Sequence, residues 1–85
     1  MSFTSHFENL IRSWNLNIHD VIHIRNLMSF HDIERKIYKR NDTQQYIFIQ
    51  YENSWRDNID DFFTWRYITE NGKNNYLHND VNFKY

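Results

Sequence analysis

The chain contains no cysteine, no proline and no alanine, and its only glycine is Gly72. Without cysteine there are no disulfides, and structural zinc sites of the thiolate kind are excluded. With no proline and one glycine, turns fall to residues that tolerate the left-handed region or bond their own backbone, chiefly Asn and Asp. Without alanine the usual small packer is missing, so large side chains must meet in the core. Net charge is also nearly absent: 10 Lys and Arg against 11 Asp and Glu leave a formal −1. That supplies no long-range attraction to nucleic acid or to an anionic membrane. No stretch approaches the roughly 18 apolar residues of a membrane span. The opening MSFTSHFENL has neither a basic n-region nor an apolar h-region, so the expectation is no secretory signal and a cytoplasmic location.

In place of the missing residues stand 12 asparagines, 10 isoleucines and 16 aromatic side chains. A chain of 85 residues makes one domain, 1–85. Domains this small bury only about 60% of the surface that the unfolded chain exposes. With crosslinks excluded, the remaining stabilising devices are dense aromatic packing and a homodimer. Each ring can bury about 150–250 Å², so the aromatic content alone can build a core.

The clearest local pattern is Phe3, Phe7, Leu10, Ile11 and Trp14, which share one face of a helix over about 4–14. Ser5 and Glu8 have capping-box spacing near its start, and Asn15 and Asn17 are candidate stop residues. Ile18, Val21, Ile22 and Met28 can line a second helix over about 18–28, although Val21 to Arg25 is also a β-branched run. Ser29 and Asp32 resemble another cap, followed by Phe30, Ile33 and Ile37 on one face of a helix over about 30–40. Lys36, Lys39 and Arg40 complement its C-terminal dipole.

Asn41-Asp42 reads as a turn, after which the period becomes two. A strand over about 45–51 carries Ile47, Ile49 and Tyr51 on one face and Tyr46, Phe48 and Gln50 on the other, as a central strand would. Ser54 and Asp57 have cap spacing, and Trp55, Ile59, Phe62 and Phe63 allow a short helix. Trp65, Tyr67 and Thr69 then alternate with Thr64, Arg66 and Ile68 in a strand over about 63–69. Asn71-Gly72 is a hairpin signal, with a return strand over about 75–83. The expected class is α+β: N-terminal helices packed on a small antiparallel sheet.

Several constellations invite a chemical reading. His19 and His23 are four apart, with Asp20 and His31 nearby, but the pattern lacks the glutamate of HExxH and any cysteine. Polar histidines on an amphipathic segment are the simpler account, and no metal is expected. Asp57, Asp60 and Asp61 follow Glu52, and paired carboxylates can do acid–base work or hold magnesium. No lysine accompanies them, and acidic residues in a first helical turn are expected from the dipole alone. There is no GxSxG, no thiol and no glycine-rich phosphate loop. The expectation is a protein that is not an enzyme and carries no cofactor.

Arg35, Lys36, Lys39 and Arg40 form a basic run. Three helices before a hairpin have the order of a winged-helix domain, which would make 30–40 a recognition helix for nucleic acid. Asp32 and Glu34 on the same segment, and the slightly acidic chain, weigh against it. The aromatics suggest another use, because three Trp and six Tyr exceed what one minimal core hides. Trp, Tyr and Arg dominate interface hot spots. Here they cluster as Trp55-Arg56 and Trp65-Arg66-Tyr67, with Trp65 and Tyr67 on one strand face and Arg66 on the other. An aromatic and arginine patch with an acidic rim of Asp57, Asp60 and Asp61 is the leading candidate site.

Residues with GC-rich codons are missing and those with AT-rich codons abound. In composition the chain resembles short reading frames of AT-rich genomes, phages among them, which often encode inhibitors of host proteins. That resemblance implies a small regulator that occludes a surface on a larger host protein. The nucleic-acid regulator built on 30–40 is the alternative.

Overall fold

The computed structural model describes residues 2–29, 32–53 and 61–82, with side chains through residue 79. Helix α1 (Phe3–Ser13) leads through a 3-10 turn (Ile18–Asp20) into four strands: β1 (Val21–Asn26), β2 (Ile33–Arg40), β3 (Tyr46–Glu52) and β4 (Phe62–Ile68). Helix α2 (Glu70–Asn82) is the last described element. The strands form an antiparallel meander in the order β1-β2-β3-β4, so β1 and β4 are the edges. The class is α+β. Among the described residues no helix is long and apolar enough to cross a membrane.

The two helices cover opposite faces of the sheet. Phe3, Phe7 and Ile11 of α1 are buried against Tyr38, Ile47, Ile49 and Tyr51. Tyr76 and Leu77 of α2 pack with Ile37 and Phe48, which point the other way along the same strands. Because side chains alternate across a strand, Ile37 next to Tyr38 and Phe48 next to Ile47 must feed two separate cores. Ile37, Ile47 and Ile49 have no exposed surface at all. Burying each such side chain contributes about 1.5–3 kcal/mol, and β2 and β3 supply the side chains shared by both cores.

The expected helix over 4–14 is present, capped one turn earlier than the Ser5/Glu8 spacing suggests. Ser2 Oγ accepts the Ser5 N–H at 3.3 Å. At the other end Asn15 takes φ 57, the Leu16 N–H reaches Ile11 O at 3.1 Å and the Asn15 N–H reaches Arg12 O at 2.9 Å. These paired bonds close a Schellman motif, and Leu16 and Ile11 supply its apolar contact. Asparagine serves here where glycine usually does.

Three expected elements are corrected. Residues 18–28 do not form a helix. The Asn17 N–H bonds Asp20 Oδ2 at 2.9 Å and caps the start of the 3-10 turn, which gives way at Val21 to extended backbone, and Val21, Ile22 and Ile24 continue as β1. The β-branched run prefers the pleated, half-buried surface that β2 offers. Residues 33–40 of the expected helix over 30–40 are β2, a central strand despite its four cations. Each cation rides on a ring from another element: Lys36 Nζ lies 4.0 Å from the Phe3 centroid, Arg40 4.7 Å from Trp14, Arg35 5.7 Å from Phe48 and Lys39 5.5 Å from Tyr46. Long basic stems can cover apolar surface while the charged heads stay solvated or meet a ring face, so a basic strand becomes tolerable.

The third correction concerns the end of the chain. Asn71-Gly72 is not a hairpin turn, and the expected return strand over 75–83 is replaced by α2 as far as Asn82. Thr69 Oγ1 accepts the Gly72 N–H at 3.0 Å and the Lys73 N–H bonds Thr69 O at 2.8 Å. That N-cap, with Glu70 in the first turn, draws Asn71 and Gly72 into the helix. The expected strands over 45–51 and 63–69 correspond to β3 and β4. Phe62 and Phe63, assigned above to a short helix, belong to β4. The rest of that helix, with Trp55 and Ile59, lies outside the described residues.

Candidate interaction surface

Strand alternation places Phe63, Trp65 and Tyr67 of β4 on the α1 face of the sheet. Phe63 points at α1 near its start and packs against the core, with its ring 6.0 Å from Phe3. Farther along the strand, Trp65 and Tyr67 meet the end of the helix, where the Schellman turn leads the chain away. They remain 37% and 38% exposed. Trp14, the last residue of the α1 stripe, packs against both. Its ring is 5.0 Å and edge-on from Trp65, and 6.1 Å and near-parallel to Tyr67. Trp65 and Tyr67 are themselves edge-to-face at 5.3 Å. Such geometries align ring edges with ring faces and hold the side chains in place.

Arg40, at the end of β2, completes the cluster. Its guanidinium lies over Trp14 and donates to Tyr67 Oη at 2.7 Å. Nε and Nη2 clasp Asp42 Oδ1 and Oδ2 at 3.0 and 2.6 Å. The Asp42 hydrogen bond, joined by the one to Tyr67, raises the guanidinium pKa further above its ordinary value. The same hydrogen bonds from Arg40 hold the Asp42 carboxyl below the usual range. Both groups therefore stay charged near neutrality. Around the end of the sheet, Tyr67 also lines a groove of about 560 Å³ with Lys39, Gln44, Gln45, Tyr46, Ile68 and Glu70.

The residues named from sequence are distributed as follows. Trp65 and Tyr67 share the patch. Arg66 points to the α2 face, where it donates to Tyr76 Oη and lies 5.2 Å from the Phe48 centroid. Asp61 turns inward: Tyr51 Oη donates to its Oδ2 at 2.7 Å, and His6 Nε2 is 3.6 Å from the same oxygen. Trp55, Arg56, Asp57 and Asp60 lie outside the described residues. The basic run is divided by the pleat, Arg35 and Lys39 toward α2, Lys36 and Arg40 toward α1. It presents no helix to a groove, so the winged-helix arrangement is overturned.

Sequence reasoning missed Trp14, Arg40 and Asp42 as members of the patch. A tryptophan ending an otherwise buried helical stripe was one available signal, and the Arg-x-Asp spacing of Arg40 and Asp42 across a turn was another. Their meeting with β4 depends on the sheet order, which neither signal contains.

His6, Tyr51 and Asp61 form a second polar cluster on the α1 face. Burial first, then the hydrogen bond to Asp61, push the Tyr51 hydroxyl up to about 12, so it stays a donor. The His6 ring is stacked on Phe63 at 5.2 Å, and its buried Nε2 makes no hydrogen bond among the described residues. The arrangement anchors Asp61 to the core. His19 and His23 sit in the 3-10 turn and on β1, with His23 Nε2 2.8 Å from Asn26 Oδ1. Among the described residues no three His, Asp or Glu side chains converge as a metal site. Compared with known proteins, the chain matches no family model, no characterised protein and no solved structure.

Proposed function

We propose that this chain is a small non-enzymatic protein-binding module that regulates a larger protein by covering a surface on it. Trp14, Trp65, Tyr67 and Arg40 are its contact patch. The observation that carries this reading is the exposure of Trp65 and Tyr67 on an edge strand, although Trp65 is held by Trp14 and Tyr67, and Tyr67 by Trp14 and Arg40. Exposed rings held in one geometry lose little entropy on binding, and Trp, Tyr and Arg are the residues that anchor protein interfaces. The AT-rich composition supports a phage-type inhibitor of a host protein as the biological setting.

The test compares wild type with a Trp65→Ala/Tyr67→Ala double variant in affinity capture from a candidate host lysate. The expected result is a protein recovered saturably by wild type and lost with the variant, while circular dichroism and the urea midpoint show that the variant is folded. Equal recovery by both would reject the patch, and no saturable partner would reject the reading.

A further inference from the structure

We infer that β4 pairs with β4 of a second copy, antiparallel and about a two-fold axis through Trp65, joining two sheets into one of eight strands. The starting observation is a difference between the two sheet edges. β1 is broken by a bulge between His23 and Arg25, a common device against edge pairing. Among the described residues β4 has fewer of these protections. It pairs with β3 in unbroken register from Phe62 to Ile68 and contains no proline, lysine or bulge, and its one charge is Arg66. Among the described residues nothing pairs with its outer side.

The strand is also complementary to itself. A two-fold perpendicular to the sheet keeps each face continuous, so a residue can oppose only residues of its own face. Trp65 is the midpoint of Phe62–Ile68, and centring there is the one register that pairs the whole strand. Phe62 then faces Ile68 of the other copy, Phe63 faces Tyr67, Thr64 faces Arg66 and Trp65 faces Trp65. Every apolar residue meets an apolar or aromatic one, and the single cation meets a hydroxyl. Moving the centre to Arg66 would set two guanidiniums opposite each other, and moving it to Thr64 would set Phe62 against Arg66. Among these three registers, only the one centred on Trp65 sets Phe62, 65% exposed in the single chain, against an apolar residue.

A second copy therefore fits this edge by register, by side chain and by charge, as an isologous contact requires. The net charge of −1 opposes association only weakly. Pairing would also bring two Trp14-Trp65-Tyr67 clusters side by side on one face. The inference does not depend on the identity, or the existence, of a larger partner.

Thr64 provides the test, because it is exposed and lies on the face opposite Trp65 and Tyr67. Light scattering coupled to size-exclusion chromatography, and sedimentation over a range of concentrations, measure the dimer dissociation constant. Wild type is expected to reach twice the 10.7 kDa chain mass. Thr64→Glu sets a carboxylate against Arg66 of the other copy and is expected to tighten the dimer about three- to tenfold. Thr64→Lys opposes two cations and is expected to weaken it by a similar factor. A single-chain mass at every concentration would overturn the proposal. So would a dimer that both variants leave unchanged, since its contact would lie elsewhere. The outcome of the capture experiment leaves this result untouched, because the mass is measured on the purified chain with no partner present.

Discussion

Arg40 lies face-on over Trp14, its guanidinium carbon 4.7 Å from the ring centroid, while the same group clasps Asp42 through two nitrogens. One side chain thereby ties the end of α1, the end of β2 and the β2–β3 turn together. Through Tyr67 it reaches β4 as well. Three elements distant in sequence share one planar cation, which suits arginine and not lysine. A guanidinium offers five donors in a fixed plane and stacks on rings, whereas an ammonium is a point charge.

Arg40→Lys is therefore not conservative here. It keeps the charge but loses the two-pronged bond to Asp42 and cannot hold Tyr67 at the same time. The expected loss is about 1 kcal/mol of stability, read as a lower urea midpoint with unchanged slope. A red shift in tryptophan emission should accompany it as Trp14 becomes wetter. An unchanged midpoint would mean that the cluster contributes nothing to folding.

Tyr38 and Tyr51 should make stability fall at alkaline pH. Burial, then the nearby Glu34 charge, raise the Tyr38 hydroxyl to about 12, and burial with the Asp61 hydrogen bond does the same for Tyr51. In the unfolded chain these phenols lose their protons near pH 10. The stabilisation is complete below about pH 10 and is lost as pH rises to about 12, because the unfolded state then sheds protons that the folded state retains. The slope is up to about 1.4 kcal/mol per pH unit for each tyrosine. Urea midpoints from neutral to strongly alkaline pH should fall with this sign, and Tyr51→Phe should flatten the fall. A midpoint that rises through this range would contradict the assignment.

Helix α2 depends on its cap more than on its own sequence. Five of its thirteen residues are asparagine, and Gly72 sits in its first turn. Against those poor propensities stand the Thr69 cap and the stacking of Tyr76 on Phe48 at 4.7 Å and 7°. Thr69→Ala should cost about 1 kcal/mol. It should also reduce far-UV helical signal before the sheet melts, which hydrogen exchange across residues 70–79 can resolve.

Core and patch should separate cleanly under alanine substitution. Ile47→Ala leaves a cavity between fully buried neighbours and should cost about 2–5 kcal/mol, a large part of the stability of a small domain. Trp65→Ala removes a ring that is more than a third exposed and should cost much less, leaving a folded protein without its anchor. Equal losses in thermal or urea melts would place Trp65 in the core.

Several features were legible because their signals are local. The α1 stripe needs only residues three and four apart, and Asn15 at its end needs only a side chain tolerant of the left-handed region. The alternation of β3 and β4 also declares itself, including the separation of Arg66 from Trp65 and Tyr67. β2 was not legible in the same way. Its spacing of Ile33 and Ile37 suits a helix, and four cations in eight residues argue against a central strand unless rings are known to cover them. α2 failed for the opposite reason: Asn71-Gly72 is a strong local signal that one threonine hydroxyl outweighs.

By itself, then, the sequence determined an uncrosslinked α+β domain with an aromatic and isoleucine core, the first helix and its end, two strands, and the shared face of Trp65 and Tyr67. Only the tertiary structure decided that the basic run is a strand, that the chain ends its described course as a helix, and that Arg40 joins Trp14 to Tyr67. The physical reason is common to all three. Each outcome depends on a ring, a cap or a neighbouring strand contributed by another part of the chain, and the energy of such a contact is absent from the local pattern on either side of it.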